Sequence, residues 1–364
     1  MARNRGATCR IGVIGCGRIA QSVHLEILSG LPGVRVVALA EPDSHKLDAA
    51  RVRAPTSVGC SDYAELLELP EVDAVVVCGP NAMHAAAAEA ALERGKHVYL
   101  EKPIATTLDE GRHLVETYRR SGLIGMVGFN YRFNPLNDAA RRHLASARIG
   151  DLIGARSIFS TGPGEIPAWK RTRESGGGVL LDLASHHVDM MRFLFGREVT
   201  EVFASVQSRR SEADTALLHM LMGDDLPVQS FFSFGAGAED RFEAYGSQGR
   251  MSFNRHRSTH VEISGPSQVT RLFSWLRDES PSLDRIPFLL GKLRGTGHEP
   301  SFRSALMHFV TAVQANKPAL PDIEDGYRSL AVVLAAEESA SRGRTVSIRD
   351  WDRGGVPRRV NVAS

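Results

Sequence analysis

Along the first 128 residues, short apolar runs alternate with stretches whose apolar positions recur every three to four residues. "RIGVIG", "VRVVALAEP", "VDAVVVCGP", "HVYLEKP" and "LIGMVGFNYR" are continuous runs rich in Val, Ile and Leu, the pattern of strands covered on both faces. Between them, "AQSVHLEILSGL", "YAELLEL", "NAMHAAAAEAALERG" and "LDEGRHLVETYRRSG" read as helices. Buried strands separated by helices predict a parallel sheet with right-handed crossovers, a doubly wound α/β fold.

The texture changes after residue 150. "GDLIGARSIFST", "VTEVFASVQS", "ALLHMLM", "PVQSFFSFG", "RFEAYGSQGRMSFN" and "HVEISG" read as successive strands with short turns, predicting a second α/β region built on a large, mostly antiparallel open sheet. One helix, "GVLLDLASHHVDMMRFLFG", interrupts them, and "SFRSALMHFVTAVQANKP" and "DGYRSLAVVLAAEESASRG" are amphipathic helices near the end. The expected domains are 1–128 and 129–349, with the late helices able to pack back on the first, and a frayed polar tail over 350–364. Residues 266–298 follow neither period and are expected to form a surface insertion, at a substrate mouth or a subunit contact.

Composition narrows the function. A chain of 364 residues is long enough for two cores. With 44 basic and 42 acidic residues, the net charge of +2 gives no electrostatic footprint for nucleic acid or an anionic membrane. No apolar run reaches the roughly 18 residues of a membrane span, and a cytoplasmic location is expected. Cys9, Cys16, Cys60 and Cys78 show no C-x-x-C pair and no histidine at zinc spacing, so neither a disulfide nor a metal is expected.

The stretch "GVIGCGRIA" places Gly15 and Gly17 between a strand and a helix, the setting of a dinucleotide fingerprint. Glycine permits the turn and lets the backbone approach a pyrophosphate, with Arg18 and Ile19 completing the loop and Ala20 in the third small position. Glu41 ends the next strand, 24 residues beyond Gly17, where a carboxylate accepts ribose hydroxyls and repels a 2′-phosphate. NAD is therefore favoured, and NADP is possible if His45 or Lys46 binds the phosphate. Pro80, Asn81 and His84 follow the strand "VVVCGP", at a ligand-bearing sheet edge, although Asn81 taken alone reads first as a helix N-cap. Glu101 and Lys102 end "HVYLEKP", either a solvated pair or a lysine set to stabilise an alkoxide. Asp182 and His186 stand four apart on one helical face, either a structural polar cluster or an oriented acid/base.

In this order, "GVIGCGRIA", "CGPNAMH", "EKP", "GFNYRFNP", Trp169-Lys170 before "SGGG", "DLASHHVD" and the closing "PDIEDGYRSLAVVLAAEESASRGRTV" resemble the Gfo/Idh/MocA family of NAD(P)-dependent oxidoreductases. That resemblance implies an N-terminal Rossmann domain, a C-terminal domain whose open sheet often mediates homodimers or homotetramers, and a sugar, polyol or related substrate. It implies Lys102, Asp182 and His186 as catalytic residues, with His186 exchanging the proton. It places Asn81, Glu101, Asn130, Trp169 and Lys170 along the cofactor or substrate. Ala184 stands where many members carry glycine, and the 266–298 stretch is unfamiliar in the family. The expected reaction is hydride transfer between a nicotinamide and a secondary alcohol or ketone. The competing readings are a redox-neutral enzyme that uses NAD transiently and a non-catalytic nucleotide-binding regulator.

Overall fold

The computed structural model describes residues 8–162, 164, 166–223, 225–265 and 299–351, with the backbone alone at 350 and 351. The stretch 266–298 lies outside them, as does the tail expected from 350 apart from its first two residues. The chain divides into two compact units, Met1–Asn130 with Thr296–Leu330, and Tyr131–Gly295 with Ala331–Ser364.

The first unit is built on six parallel strands, β1 (Cys9–Ile14), β2 (Val34–Ala40), β3 (Val58–Cys60), β4 (Ala74–Val77), β5 (His97–Leu100) and β6 (Gly125–Val127). Their order is β3-β2-β1-β4-β5-β6, the doubly wound arrangement with its switch point between β1 and β4. All four residues of β4 are buried, as the unbroken "AVVV" requires of a central strand. The crossovers carry α1 (Leu25–Ser29), α2 (Ser44–Arg51), α3 (Tyr63–Leu67), α4 (His84–Glu93) and α5 (Leu108–Ser121). A π-helical turn, Ala20–His24, leads directly into α1. The limits of α5 are set by a Thr107–Glu110 capping box at its start and left-handed Gly122 at its end.

The second unit holds α6 (Pro135–Ala145), then β7 (Leu152–Ser160) and α7 (Ser185–Phe195), which is entered through a second π-helical turn, Leu180–Ala184. Strands β8 (Val199–Gln207), β9 (Thr215–Met222), β10 (Leu226–Ser233), β11 (Glu239–Gly246), β12 (Gly249–Asn254) and β13 (Glu262–Ser264) follow. After α8 (Pro300–Ala315) and α9 (Ile323–Arg342), β14 (Val346–Ser347) and α10 (Ile348–Trp351) end the described chain. The eight strands run β13-β12-β11-β7-β10-β9-β8-β14, antiparallel throughout except for the β7–β10 pair. In β9 buried and exposed positions alternate, so one sheet face is covered and the other open.

Helix α8 packs on α1, β1 and β5, and the unit boundary falls within α9. Residues 299–330 thus complete the core of the first unit. Sequence periodicity shows which face of a helix is apolar but not which sheet receives it, so the return of the late helices to the first unit is only one option there.

Candidate functional site

In the first unit the strand ends gather the residues singled out from the sequence. Gly15 has φ +89°, and a Cβ there would lie 2.6 Å from both the N and the Cα of Gly79, so only glycine fits the approach of these two loops. At Gly17 a Cβ would meet nothing within 4 Å, which leaves the loop backbone open beside it. Arg18 is exposed and Ile19 half-buried at the start of the helical turn. The buried Glu41 carboxylate reaches into this loop: its Oε2 accepts from the Cys16 N–H at 2.8 Å and its Oε1 from the Asp43 N–H at 3.2 Å. An open glycine backbone at the start of a ten-residue helical segment, with an acid at the end of β2, fits an adenine dinucleotide whose ribose is not phosphorylated. Burial, and then the Glu41 charge, push the Cys16 thiol up to about 12, so it is unreactive at neutral pH.

Two strands further on, Pro80 is exposed and Asn81 is buried as it opens a 3-10 turn, Asn81–Met83. Pro80, not Asn81, occupies the N-cap position of that turn. His84 is buried with Nδ1 2.7 Å from the Pro103 carbonyl and Nε2 3.0 Å from that of Gly79. Burial, only partly offset by those carbonyls, draws its pKa down, which favours the neutral ring. His84 therefore ties the β4 loop to the chain following β5.

Lys102 follows β5 and is half-buried, and its peptide to Pro103 is cis. The neighbouring Glu101 is buried and pairs through Oε1 with His24 Nε2 at 2.9 Å. Burial pushes the Glu101 carboxyl up, but the His24 hydrogen bond and charge, with Lys102 and His84 beyond, outweigh it and hold it below the usual range. A Cβ at Gly128 would sit 3.0 Å from this carboxylate, so the glycine gives it room. Asn130 Nδ2 donates to Ser301 Oγ at 2.9 Å, which ties the end of this unit's sheet to α8.

In the second unit the Asp182 carboxylate is buried in the π-helical turn, and its Oδ2 accepts from Lys170 Nζ at 2.6 Å. That ammonium also lies 5.1 Å from the Trp169 ring centroid. The structure thus joins Trp169, Lys170 and Asp182 in one contact. His186 is half-buried one turn later, its ring stacked on Tyr131 with centroids 4.4 Å apart and planes 14° from parallel. His187 turns inward, with Nδ1 2.9 Å from Ser157 Oγ and Nε2 3.2 Å from Asp240 Oδ1. Asp240 also takes Arg255 Nε at 2.7 Å. Burial pushes the Asp240 carboxyl up, but the charges of Arg255 and His187 outweigh it and hold it far below the usual carboxylate range. Asp189 is gripped by both Arg132 Nε and Nη2, at 2.8 and 2.6 Å.

Sequence reasoning does not single out His24, Tyr131, Asp240 or Arg255. Tyr131 stands within the quoted "GFNYRFNP", but a one-dimensional pattern carries no mark of the partner it stacks on. Among the described residues, no group of three His, Cys, Asp or Glu is placed to hold a metal ion, and no helix is long and apolar enough to cross a membrane.

Residues 9–129 match the oxidoreductase family with an NAD-binding Rossmann fold, Gfo/Idh/MocA, and residues 138–252 match that family's C-terminal domain. The myo-inositol 2-dehydrogenase of Thermotoga maritima is 29% identical over 350 residues, spanning 94% of this chain and 99% of its own length. A dTDP-3,4-didehydro-2,6-dideoxy-alpha-D-glucose 3-reductase of Saccharopolyspora spinosa is 32% identical over 266 residues, covering 72% of this chain and 79% of that protein. The solved structure of levoglucosan dehydrogenase in complex with NADH is similar in fold, with a TM-score of 0.80 at 22% identity over 93% of this chain and 98% of that one.

Proposed function

The chain belongs to the Gfo/Idh/MocA family of NAD-binding oxidoreductases, and from that premise we propose that it moves a hydride between NAD and a secondary alcohol or ketone of a sugar, polyol or sugar derivative. One observation carries this reading: the glycine turn after β1, Asn81 after β4 and Lys102 after β5 all follow strands at the same edge of one parallel sheet. The substrate class follows from relatives named for inositols, levoglucosan and a deoxysugar nucleotide.

When bound, NAD supplies the hydride acceptor. Gly15 and Gly17, flanked by Arg18 and Ile19, hold the pyrophosphate, and Glu41 takes the ribose hydroxyls and excludes the 2′-phosphate of NADP. Pro80, Asn81, His84, Glu101 and Asn130 shape the remaining wall. Lys102 hydrogen-bonds the substrate oxygen and stabilises the negative charge that grows on it. His186 takes the hydroxyl proton, and Asp182, Lys170 and Trp169 form the polar wall next to it. For ketone reduction the same groups run in reverse. The enzyme works in the cytoplasm and self-associates through the open sheet face, where Phe203 and Leu217 are 42% and 57% exposed.

The test is a panel of myo-inositol, scyllo-inositol, levoglucosan and sugar nucleotides, incubated with NAD and in parallel with NADP, followed by absorbance of the reduced nicotinamide. Reduction of NAD well ahead of NADP by at least one polyol or sugar is the expected result. A tightly retained cofactor with no net reduction on any member would favour the redox-neutral reading instead.

A further inference from the structure

We propose that Tyr131 is the positioning residue for His186, holding the imidazole plane by face-to-face stacking while leaving the ring edge able to exchange a proton. The inference rests on the reading of His186 as the proton-transfer group. A histidine on a helix has two side-chain torsions to settle, and proton transfer needs one ring nitrogen at a fixed angle to the substrate hydroxyl. The acid one turn before it, Asp182, takes the Lys170 ammonium at 2.6 Å, so at least one of its oxygens serves a cation. The Tyr131 ring, only 4% exposed, covers the imidazole at 4.4 Å and 14°.

Tyr131 can act as a platform because it is itself fixed on several sides. Its hydroxyl donates to Asp240 Oδ2 at 3.2 Å. The Arg255 guanidinium lies 4.1 Å from its ring centroid, and Arg255 Nε donates to the same Asp240 oxygen at 2.7 Å. His187, adjacent in sequence to His186, takes the other Asp240 oxygen at 3.2 Å. Phe159 on β7 lies against both rings, tilted 47° to Tyr131 at 6.1 Å between centroids and T-shaped to His186 at 6.3 Å. The carboxylate on β11 therefore anchors the tyrosine, the arginine after β12 and the helix that bears His186. The arginine cation over a ring favours retention of the tyrosine at that place, since the ring face is electron-rich. A stack restrains tilt without occupying a ring nitrogen, which an in-plane hydrogen bond cannot do.

The test uses the full-length enzyme and two independent readouts. The Cε1–H signal of His186 is assigned in the apo protein by its loss in His186→Gln, and kcat and KM are measured with NAD and whichever of myo-inositol, scyllo-inositol and levoglucosan reacts. In the wild-type protein the His186 signal should carry a clear upfield ring-current shift, and its absence overturns the proposal with no variant needed. Tyr131→Leu should lower kcat about 10- to 100-fold, the scale of a misplaced reacting group, with KM changed less than about threefold and the upfield shift gone. Tyr131→Phe keeps the ring and should restore the shift and kcat to within about threefold. An unchanged kcat in Tyr131→Leu, or a loss that Tyr131→Phe does not rescue, overturns the positioning role. Wild-type turnover in His186→Gln overturns the assignment of His186 itself, whereas an inactive His186→Gln beside a fully active Tyr131→Leu removes only Tyr131.

Discussion

The buried His24–Glu101 pair allows a stability prediction whose size and sign follow from the structure. Glu101 is 8% exposed and His24 wholly buried, so His24→Leu leaves a carboxylate in an apolar setting without its 2.9 Å partner. Breaking a buried pair from one side costs about 3–5 kcal/mol. At about 2–4 °C per kcal/mol for a unit of this size, the Tm of the first unit should fall by about 6–20 °C at neutral pH. The double variant His24→Leu/Glu101→Leu should recover at least about half of that loss, because it removes the stranded charge as well. The pH dependence has a definite sign. In the wild type the folded-state pKa of Glu101 lies below its ordinary 4.5, so the pair's contribution is present above about pH 4.5 and fades as acid carries the pH through the folded value. In His24→Leu the largest offset to burial is gone, the folded pKa moves upward, and the carboxylate opposes folding most at neutral pH. The gap between variant and wild type should therefore narrow as the pH falls, first through the variant's raised folded pKa above 4.5 and then through the wild type's folded pKa below it. Circular dichroism melts of the three proteins from acid to neutral pH measure it. A loss below about 2 °C at neutral pH, or a gap that widens in acid, would refute the reasoning.

Three further outcomes are expected. Gly15→Ala forces a Cβ to within 2.6 Å of the Gly79 backbone at φ +89°, so calorimetric titration should show NAD affinity reduced at least about tenfold together with a lowered Tm. Asp240→Asn strands Arg255 and should cost about 3–5 kcal/mol by denaturant titration; because the wild-type carboxyl titrates far below its ordinary 3.8, its contribution is lost only in acid, and the variant's stability should change less than the wild type's below about pH 4. Cys16, with its thiol raised to about 12, should resist alkylation by N-ethylmaleimide in the native protein at neutral pH, read by intact mass, and react readily once unfolded.

Much of the first unit is legible in the sequence, because "GVIG", "VVALA" and "AVVV" are apolar on both faces and a buried parallel strand has few alternatives. Val58–Cys60 escapes such a reading, since three residues with one buried position carry no period. Helix Ser44–Arg51 escapes it for a related reason: it buries only Ala50 and shows no apolar stripe. Helix Pro135–Ala145 does carry its start signals, Asn134 as N-cap and Pro135 in the first turn, the last two residues of the "GFNYRFNP" motif. At the site, the Gly15–Gly17 turn and Glu41 are readable from spacing because their geometry is local to one crossover. The His24–Glu101 pair spans 77 residues and the Tyr131–Asp240 bond spans 109, and no local rule connects positions that far apart. The four-residue interval between Asp182 and His186 fits a shared helical face, but no spacing rule marks Lys170, twelve residues before Asp182, as a partner of that carboxylate.

The central claim, that Lys102 and His186 handle the proton of an NAD-linked alcohol oxidation, is tested most directly by single-turnover kinetics. Enzyme preloaded with NAD is mixed with the polyol or sugar that reacts best, and formation of reduced nicotinamide is followed for the wild type, Lys102→Ala and His186→Ala. Each variant should bind NAD with nearly unchanged affinity and form the reduced cofactor about 10²- to 10⁴-fold more slowly. Wild-type rates in either variant, with NAD binding intact, would contradict the assignment.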